Sequence, residues 1–541
     1  MLKGWFTMAG LALSAAAFCA PEVRVTTAPL TETVDEAVAA KDMRAETGFC
    51  YIASLRMGRT GDKDGKSECV LTEDGKPLGP AHAGHADIRS LGKGRYSHWI
   101  AGGLYFSASD NTDPRTNGRK YVLSSQSRGL LCTAVTTLNA PAGQFQLTGG
   151  PAASVRRLAL RNLDDKTAIV AAVRAANRPD FSSVDAILGG IIKPDMTPEQ
   201  KSVAIWKFLV DWRYHYLPAE GGAEIHDPVK FFCVYGYGFC DDCAQNFVAL
   251  CQVAGIKTRP WGLGGHVVAE AFFDNGWHMF DPDHECYFRA ADGHILGVEE
   301  LAKDPSAILA KPTDPTGYSS KSLAELYTTT QDNAVISANL PATFHRIAPV
   351  LLPGDEVLFD YGPAKRVHSV TYAEKPGPPK AANGTLTRRV AVGQAGDELL
   401  IPVTWCHVLV GGELALSLAG AEKPGVSISP DGKQYSALPV VVSTGRLTAD
   451  LADWFTAQKV APYAFTIRIE RTGAAPLNQS VKEATLRAVF QFAPKTMLQV
   501  QPETATYRTA LTASDGTTPP AGFKGVEMRL EWARGEDTKA K

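Results

Sequence analysis

The sequence lacks an excess of charge of either sign, and beyond its first 20 residues it also lacks a long apolar run. Its 541 residues carry 55 Lys and Arg against 57 Asp and Glu, for a formal net charge of −2. Proteins that bind nucleic acid or an anionic membrane surface usually carry a basic excess, so we expect neither partner. A membrane-spanning helix needs about 20 mostly apolar residues, so we expect no transmembrane segment in the mature chain.

One apolar run does occur, at the very start. Residues 1–20 contain Lys3 and then an apolar stretch that ends in small residues at Ala17. This pattern is typical of a secretory signal peptide, and the run is too short to stay in a bilayer as a span. Cys19 would be the lipidated residue of a lipoprotein, but Phe18 before it makes a poor cleavage site. We therefore expect a secreted or periplasmic protein without a lipid anchor.

Cysteine is scarce, with 10 residues in the whole chain. Removal of the first 20 residues leaves nine of them, at positions 50, 69, 132, 233, 240, 243, 251, 286 and 406. An odd number in an exported protein leaves at least one thiol without a disulfide partner. An unpaired thiol suits a nucleophile, although the count does not say which cysteine provides it.

Apolar residues make up 45% of the chain, which is enough for three or four domains with separate cores. Short strand-like runs separated by turn residues come before and after a central segment with helical periodicity. We therefore predict an α+β fold, in which N-terminal and C-terminal β-sandwich-type domains flank a central core. Between Ser154 and Arg178, helix formers such as Leu158 and Leu160 predict one or two helices.

These patterns give a predicted division of the chain. The parts are a signal peptide at 1–20, an N-terminal β domain at 45–155, a core at 156–340 with its motifs at 197–283, a β extension at 341–374, a Pro- and Gly-rich linker at 375–384, a C-terminal β-sandwich at 385–533 and a disordered tail at 534–541.

A helix is predicted directly after Cys240. Apolar residues recur there at intervals of three and four, which indicates one buried helix face, and Gly255 ends the helix. They are Cys243, Ala244, Phe247, Val248, Cys251 and Ala254. Cys240 would thus lie at a helix N-terminus, where unpaired backbone N–H groups and the helix dipole favour an anion and so a thiolate.

A β-hairpin is predicted downstream, where Asp274, Asn275 and Gly276 separate two apolar runs. A loop from Phe273 to Gly276 would pair Phe272 with Trp277. In that register His266 and Asp281 are diagonal neighbours on one face of the sheet, about 7–8 Å apart at the backbone. A three-residue loop would place them on opposite faces.

A further helix is predicted upstream of the cysteine. Thr197 has the character of an N-cap, Pro198 suits the first turn and Gln200 can reach back to the cap. The apolar stripe of this helix consists of Ile205, Phe208, Leu209 and Trp212.

Taken together, these motifs resemble the transglutaminase-like superfamily over about a hundred residues. The residues that carry the resemblance are Cys240 with Ala244, Ala249 and Leu250, then Gly255, Ile256 and Arg259, a glycine-preceded His266, and finally Gly276, Trp277, Asp281 and Pro282. The resemblance implies a papain-like core in which Cys240 attacks a carbonyl, His266 shuttles the proton and Asp281 orients the imidazole.

The same resemblance implies secondary site residues. An upstream tryptophan donates to the oxyanion in some members, so Trp206 and Trp212 are candidates. Apart from the resemblance, Glu270 is a candidate to line the cleft because it lies four residues after His266 on the same face of a strand. Tyr235 and Tyr237 are further cleft candidates. The predicted protein is an exported, bacterial-type cysteine hydrolase or acyltransferase that needs no cofactor and no metal. Its substrate would be a peptide, a protein or a cell-envelope glycan.

Other interpretations of these residues remain open. The spacing from Cys240 to Cys243 is also that of a redox dithiol or of half a zinc site. The β domains would suit a polysaccharide-binding protein with an inactive core. The cleft would alternatively suit polysaccharide cleavage, with His266 and either Tyr235 or Tyr237 as base and acid.

Overall fold

The protein is described here from a computed structural model. The described residues are 20–55, 61–62, 66–99, 103–150, 153–216, 222–311, 317–368, 381–393, 395–420 and 422–535. Helices and β-sheets are both abundant, which confirms the predicted α+β class. The predicted signal peptide lies outside this part of the chain except for Ala20. Among the described residues no helix is both long and apolar enough to cross a bilayer.

Two compact units divide the chain. The smaller unit comprises residues 26–132 with two short returns at 150–153 and 533–541. Its secondary structure comprises the helix His85–Ser90, the strands Met43–Ala45, Tyr51–Ala53, Val70–Glu73, Lys76–Pro77, Tyr96–Trp99 and Gly103–Phe106, and most of the strands Arg24–Val38 and Tyr121–Leu138. Its core contains Leu71, Leu104, Phe106 and Leu123. The unit starts before the predicted boundary at 45. Its first strand is polar and mostly exposed, so it lacks the apolar alternation from which a strand is predicted.

The larger unit contains a long β-sheet and two four-stranded sheets outside its helical part. The long sheet has the order Val441–Ser443, Arg446–Asp450, Leu409–Leu418, Val481–Phe492, Ala382–Ala391, Glu356–Pro363, Ser154–Asn162 and Val526–Gly535. One small sheet has the order Glu398–Thr404, Ala464–Glu470, Gly425–Ser429 and Ser436–Ala437. The other has the order Val350–Leu351, Ile169–Ala175, Thr504–Ala513 and Ala142–Thr148.

The prediction of helices between Ser154 and Arg178 is wrong, because this segment forms the strands Ser154–Asn162 and Ile169–Ala175. From Leu158 onward, every second residue of the first strand is buried, which is the period of a β-strand. Helix propensity is a property of single residues and does not reveal this period. Pairing with Glu356–Pro363 holds it in place. Tertiary pairing has overridden the local preference.

The predicted linker and the predicted tail each include residues that belong to a strand. Residues 369–380 lie outside the described part of the chain, but Ala382–Ala391 is a paired strand, so the linker does not reach 384. The last strand extends through Gly535. The rest of the predicted tail, 536–541, lies outside the described residues.

The helical part of the larger unit contains six elements that matter for the site. They are α1 (Val184–Ile191), α2 (Pro198–Trp212), α3 (Cys240–Val253), β1 (Lys257–Leu263), β2 (His266–Phe273) and β3 (Gly276–Phe280). The strands form an antiparallel sheet in the order β3-β2-β1, completed by Ala334–Val335. Shorter helices follow at Val298–Lys303, Ser306–Leu309 and Ser320–Thr328, and others lie at Pro228–Lys230, Ala452–Thr456 and Leu477–Ser480.

Helix α3 forms the centre of this part. Its residues Phe247, Val248 and Cys251 are fully buried and share one core with Ile205 and Leu209 of α2. Gly255, with φ of +79°, ends α3 in the left-handed conformation that glycine favours. Helix α2 begins with the predicted capping box, since Thr197 and Gln200 each bond the other's backbone N–H.

Candidate active site

Cys240 is the first residue of α3 and is partly exposed. The carboxylate of Asp242 accepts the backbone N–H of Phe239 at 2.8 Å, which fixes the start of the helix. The sulfur therefore lies at the end of the helix where the backbone N–H groups and the dipole favour a negative charge. In contrast, Cys243 and Cys251 are fully buried on the inner face.

The segment before Cys240 is tightly constrained. Phe231–Tyr235 forms a π-helical turn that ends at Gly236 with φ of +76°, and Tyr237–Gly238 then pairs with Tyr214–His215. A Cβ atom on Gly238 would lie 2.8 Å from the Cβ of Asp242 and from the Phe231 ring. Only glycine fits there, so the approach to the nucleophile is set by close packing.

His266 and Asp281 come from the β2–β3 hairpin. Asp274 and Asn275 form a two-residue turn with φ of 48° and 61°, and Phe272 pairs with Trp277. This is the first of the two registers considered from the sequence, and it brings His266 and Asp281 into contact.

The structure brings Cys240, His266 and Asp281 together. His266 Nε2 lies 2.8 Å from Asp281 Oδ2, and both side chains are buried. The other oxygen of Asp281 accepts the backbone N–H groups of Asp283 and His284, each at 2.9 Å. Because Asp281 occupies Nε2, Nδ1 of His266 is the nitrogen left for the thiol. Cys240 Sγ, a ring nitrogen of His266 and a carboxylate oxygen of Asp283 all lie within 4.8 Å of one another.

The electrostatics favour a charged imidazole. Burial by itself disfavours the imidazolium, but the carboxylate of Asp281 outweighs it, and together with Cys240 it raises the pKa of His266 well above its usual value. Burial works against the Asp281 carboxylate as well, yet His266 holds the pKa of that group below its usual value. A protonated imidazole beside a cysteine sulfur is the arrangement through which a histidine can activate a cysteine.

The two tryptophans do not point at an oxyanion. Trp206 donates its indole N–H to the backbone carbonyl of Asp281 at 3.0 Å, so it braces the loop that carries the carboxylate. Trp212 packs against Phe181, with ring centroids 5.0 Å apart, and has the guanidinium of Arg178 over its face. These contacts make Trp206 a positioning residue and Trp212 a core residue.

The three predicted cleft residues are buried, and the pocket that Glu270 lines does not include Cys240 or His266. Tyr235 is fully buried and donates its hydroxyl to Glu224 at 3.1 Å, and Tyr237 is fully buried beside it. Glu270 accepts from Arg259 Nε at 2.7 Å and from the backbone N–H of Val298 at 2.8 Å. Because its contacts are a buried ion pair and a helix cap, Glu270 holds β1 and β2 to the helix that follows.

The acids that follow Cys240 are balanced by a buried histidine. His226 Nε2 lies 3.4 Å from Asp241 Oδ2 and 3.7 Å from Asp242 Oδ1, distances of an ion pair rather than of a short hydrogen bond. Burial opposes a charge on His226, but these two acids outweigh it and raise its pKa to about 9. The resulting imidazolium neutralises part of the negative charge that Asp241 and Asp242 place at the start of α3.

Sequence reasoning missed a second group of polar residues at the site. Asp283 Oδ1 lies 2.9 Å from His215 Nδ1 and 3.5 Å from Arg213 Nη2, and Arg213 also donates to the backbone carbonyls of Pro282 and Asp283 at 2.7 and 2.6 Å. The ring of His284 lies 4.5 Å from that of His266. The sequence signal for this group was the run of polar residues from Asp281 to His284. Its partners, Arg213 and His215, lie about 70 residues earlier in the chain.

Cys240 and Cys243 are both thiols in the structure. Burial raises the pKa of Cys243 well above its usual value, so this second thiol is a poor nucleophile. Within the described part of the chain, residues able to hold a metal ion form two overlapping sets, Cys240 with His266 and Asp283, and His266 with Asp281 and His284.

This arrangement of a helix-terminal cysteine with a hairpin histidine and aspartate has a counterpart among known families. Residues 185–282 match the family model of the transglutaminase-like superfamily. This segment is a transglutaminase-like domain. Domains of this superfamily are usually Cys-His-Asp enzymes. No curated protein and no solved structure matches the chain.

The match gives the transglutaminase-like domain its limits within the larger unit. It begins in α1 and ends at Pro282, directly after Asp281. The predicted resemblance and the predicted fold class, an α+β core with β-rich surroundings, are thereby confirmed.

Proposed function

We propose that this chain is an exported cysteine enzyme that hydrolyses an amide, or transfers its acyl group, through a thioester on Cys240. The observation that carries the proposal is the convergence of Cys240 with the buried His266–Asp281 pair at the N-terminus of α3. Its support from other proteins is the transglutaminase-like domain in which these residues lie.

The geometry supports the following reaction. The thiolate of Cys240 attacks the carbonyl carbon, and the protonated His266 gives its proton to the leaving amine as the C–N bond breaks. The acyl group is then a thioester on Cys240. His266, now neutral, takes a proton from water or from an amine as that nucleophile attacks, and the C–S bond breaks to restore the thiolate. Asp281 holds the ring and stabilises the imidazolium in both steps.

A polysaccharide-cleaving function has less support. It would require Tyr235 or Tyr237 as a proton donor, but both rings are buried, and the hydroxyl of Tyr235 is bonded to Glu224. We therefore favour an amide, and a peptide or protein as the substrate class.

Labelling of the full chain with an iodoacetamide probe tests the proposal. The probe should label Cys240, identified by mass spectrometry, and labelling at about pH 6 should fall about tenfold or more in His266→Ala. Cys243→Ala is the matched control, because this thiol is buried three residues further along the helix. Labelling of Cys240 that is unchanged in His266→Ala would contradict the proposal.

A second experiment separates hydrolysis from transfer. Candidate peptides are incubated with the enzyme and a fluorescent primary amine, and products are identified by mass spectrometry. Incorporation of the amine indicates transfer, and deamidated or cleaved peptide indicates hydrolysis. Oligosaccharide cleavage that persists in Cys240→Ala would overturn the amide assignment.

A further inference from the structure

We propose that Cys240, His266 and Asp283 form a Zn²⁺ site, and that zinc bound there blocks the enzyme reversibly. This inference rests on the proposed function, because zinc would occupy the sulfur that must attack the substrate. From the sequence, we expected no metal. The spacing of Cys240 and Cys243 is that of half a zinc site, but Cys243 faces the core.

The donor atoms are of the right kind and already close. The sulfur, a ring nitrogen and a carboxylate oxygen lie within 4.8 Å of one another. Zinc binds these three donor types at about 2.0–2.3 Å, which places tetrahedral ligand atoms about 3–4 Å apart. Small rotations of the side chains are therefore enough to close the site around the ion. Three protein ligands leave the fourth position to water, as in zinc sites that face solvent.

The surroundings of His266 also suit a metal ligand. Asp281 is bonded to Nε2, so Nδ1 is the ring nitrogen left to bind an ion once it has lost its proton. A carboxylate that orients a histidine from behind is the usual second layer of a zinc site, and it makes the ring a better ligand. The same contact that prepares His266 for proton transfer thus prepares it to bind zinc.

Asp283 is held in a similar way. His215 at 2.9 Å and Arg213 at 3.5 Å both approach its Oδ1. We therefore assign Oδ2 to the metal. Without zinc, no step of the proposed reaction uses Asp283, although it is buried next to the nucleophile.

The chemistry of the donors selects zinc over the other common ions. Calcium and magnesium prefer sites made of oxygen alone, whereas zinc accepts sulfur, nitrogen and oxygen together. Zinc is also redox-inert, so its binding does not oxidise the sulfur and the block is reversible.

The second set of possible ligands is less suitable. His266, Asp281 and His284 also lie within 4.8 Å of one another. However, Asp281 Oδ2 is bonded to His266 and its Oδ1 accepts two backbone N–H groups. A metal in that position would displace the contacts that hold the hairpin loop together.

The full chain, freed of metal with a chelator, is titrated with Zn²⁺ in competition with a chromophoric chelator, and with Co²⁺ as a spectroscopic probe. We expect one equivalent to bind, with a thiolate-to-cobalt charge-transfer band. Zinc should protect Cys240 from iodoacetamide, and EDTA should restore the labelling. Affinity should fall about tenfold or more in Cys240→Ser and in Asp283→Asn, and remain unchanged in Cys243→Ala.

Two results would overturn the site. One is zinc affinity that is unchanged in Cys240→Ser, and the other is cobalt binding without the charge-transfer band, which would indicate the set containing His284. Circular dichroism of each variant separates loss of binding from loss of folding. Because metal affinity is measured without turnover, and the dependence of labelling on His266 is measured in zinc-free buffer, failure of the zinc site and failure of the proposed function give different results.

Discussion

The indole N–H of Trp206 bonds the backbone carbonyl of Asp281 at 3.0 Å, across 75 residues of sequence. This contact connects α2 to the loop that follows β3. Asp281 is therefore fixed from three sides, by Trp206 through its carbonyl, by His266 through one carboxylate oxygen and by two backbone N–H groups through the other. A tryptophan that the superfamily resemblance suggested for the oxyanion instead positions the acid of the site.

Replacement of Trp206 tests this assignment. In Trp206→Phe the ring can still pack against Tyr287, now 5.0 Å away, but the hydrogen bond is lost. We expect the free energy of unfolding to fall by about 1 kcal/mol, measured by urea denaturation, and turnover to fall less than about threefold. An oxyanion donor would behave differently, since its removal lowers turnover by about 10²–10³-fold. Trp212→Phe, on the same helix, is the packing control.

Removal of the charge behind His266 should change how the nucleophile depends on pH. Because Asp281 raises the pKa of His266, Asp281→Asn should make the ring lose its proton at a lower pH. We expect turnover to fall by about 10²–10⁴-fold and labelling of Cys240 below about pH 7 to slow by about tenfold. Asp274→Asn, in the turn of the same hairpin, should leave both unchanged. A labelling profile identical to that of the wild type would show that the His266–Asp281 contact does not activate Cys240.

The buried His226 should make stability depend on pH. Its pKa is raised from the ordinary 6.5 to about 9, so its ion pair stabilises the fold fully below about pH 6.5 and loses this effect as the pH rises through about 9. We expect His226→Gln to lower the free energy of unfolding by on the order of 3 kcal/mol near pH 6, and by progressively less toward pH 9 and above.

Denaturation with urea at several pH values measures this difference. His294→Gln is the control, because its pairs with Asp292 and Glu300 are exposed and such pairs contribute little. A stability difference for His226→Gln that grows with rising pH would have the opposite sign and refute the interpretation.

Gly238 should tolerate no side chain. In Gly238→Ala the new Cβ would meet Asp242 and the ring of Phe231 at 2.8 Å, so the loop before Cys240 must shift. We expect a loss of about 1–3 kcal/mol in stability together with slower labelling of Cys240. Gly189→Ala in α1 is the matched control. Its Cβ has no atom within 4 Å, so it should stabilise the helix by up to about 1 kcal/mol. Equal stability of the two variants would show that the loop is not constrained.

The parts of the site that the sequence predicted depend on short-range signals. Thr197 and Gln200 are three residues apart and form the capping box, and Asp274 and Asn275 set the hairpin turn by their own backbone conformation. The turn then fixes the register of β2 and β3. Because a period of two decides which face each side chain occupies, the turn places His266 and Asp281 on the same face of the sheet.

The parts that the sequence did not predict depend on contacts between distant segments. Nothing near Trp206 indicates that its N–H points at a carbonyl 75 residues later, and nothing near Asp283 indicates His215. The same holds for the strand Ser154–Asn162, whose leucines favour a helix but whose partner lies at Glu356–Pro363. Glu270 was misplaced in the cleft because its partner Arg259 lies opposite it on β1, where they form a buried ion pair.

His266 begins one strand of the hairpin and Asp281 follows the other, whereas Cys240 begins a helix. The contact between the base and its acid therefore does not involve α3, and a shift of α3 relative to the sheet would change the distance between the sulfur and the ring. The distance between the Cys240 sulfur and the His266 ring thus decides whether the site can react. An effector that moved the start of α3 away from the sheet would inactivate the site while α3 and the sheet stayed folded.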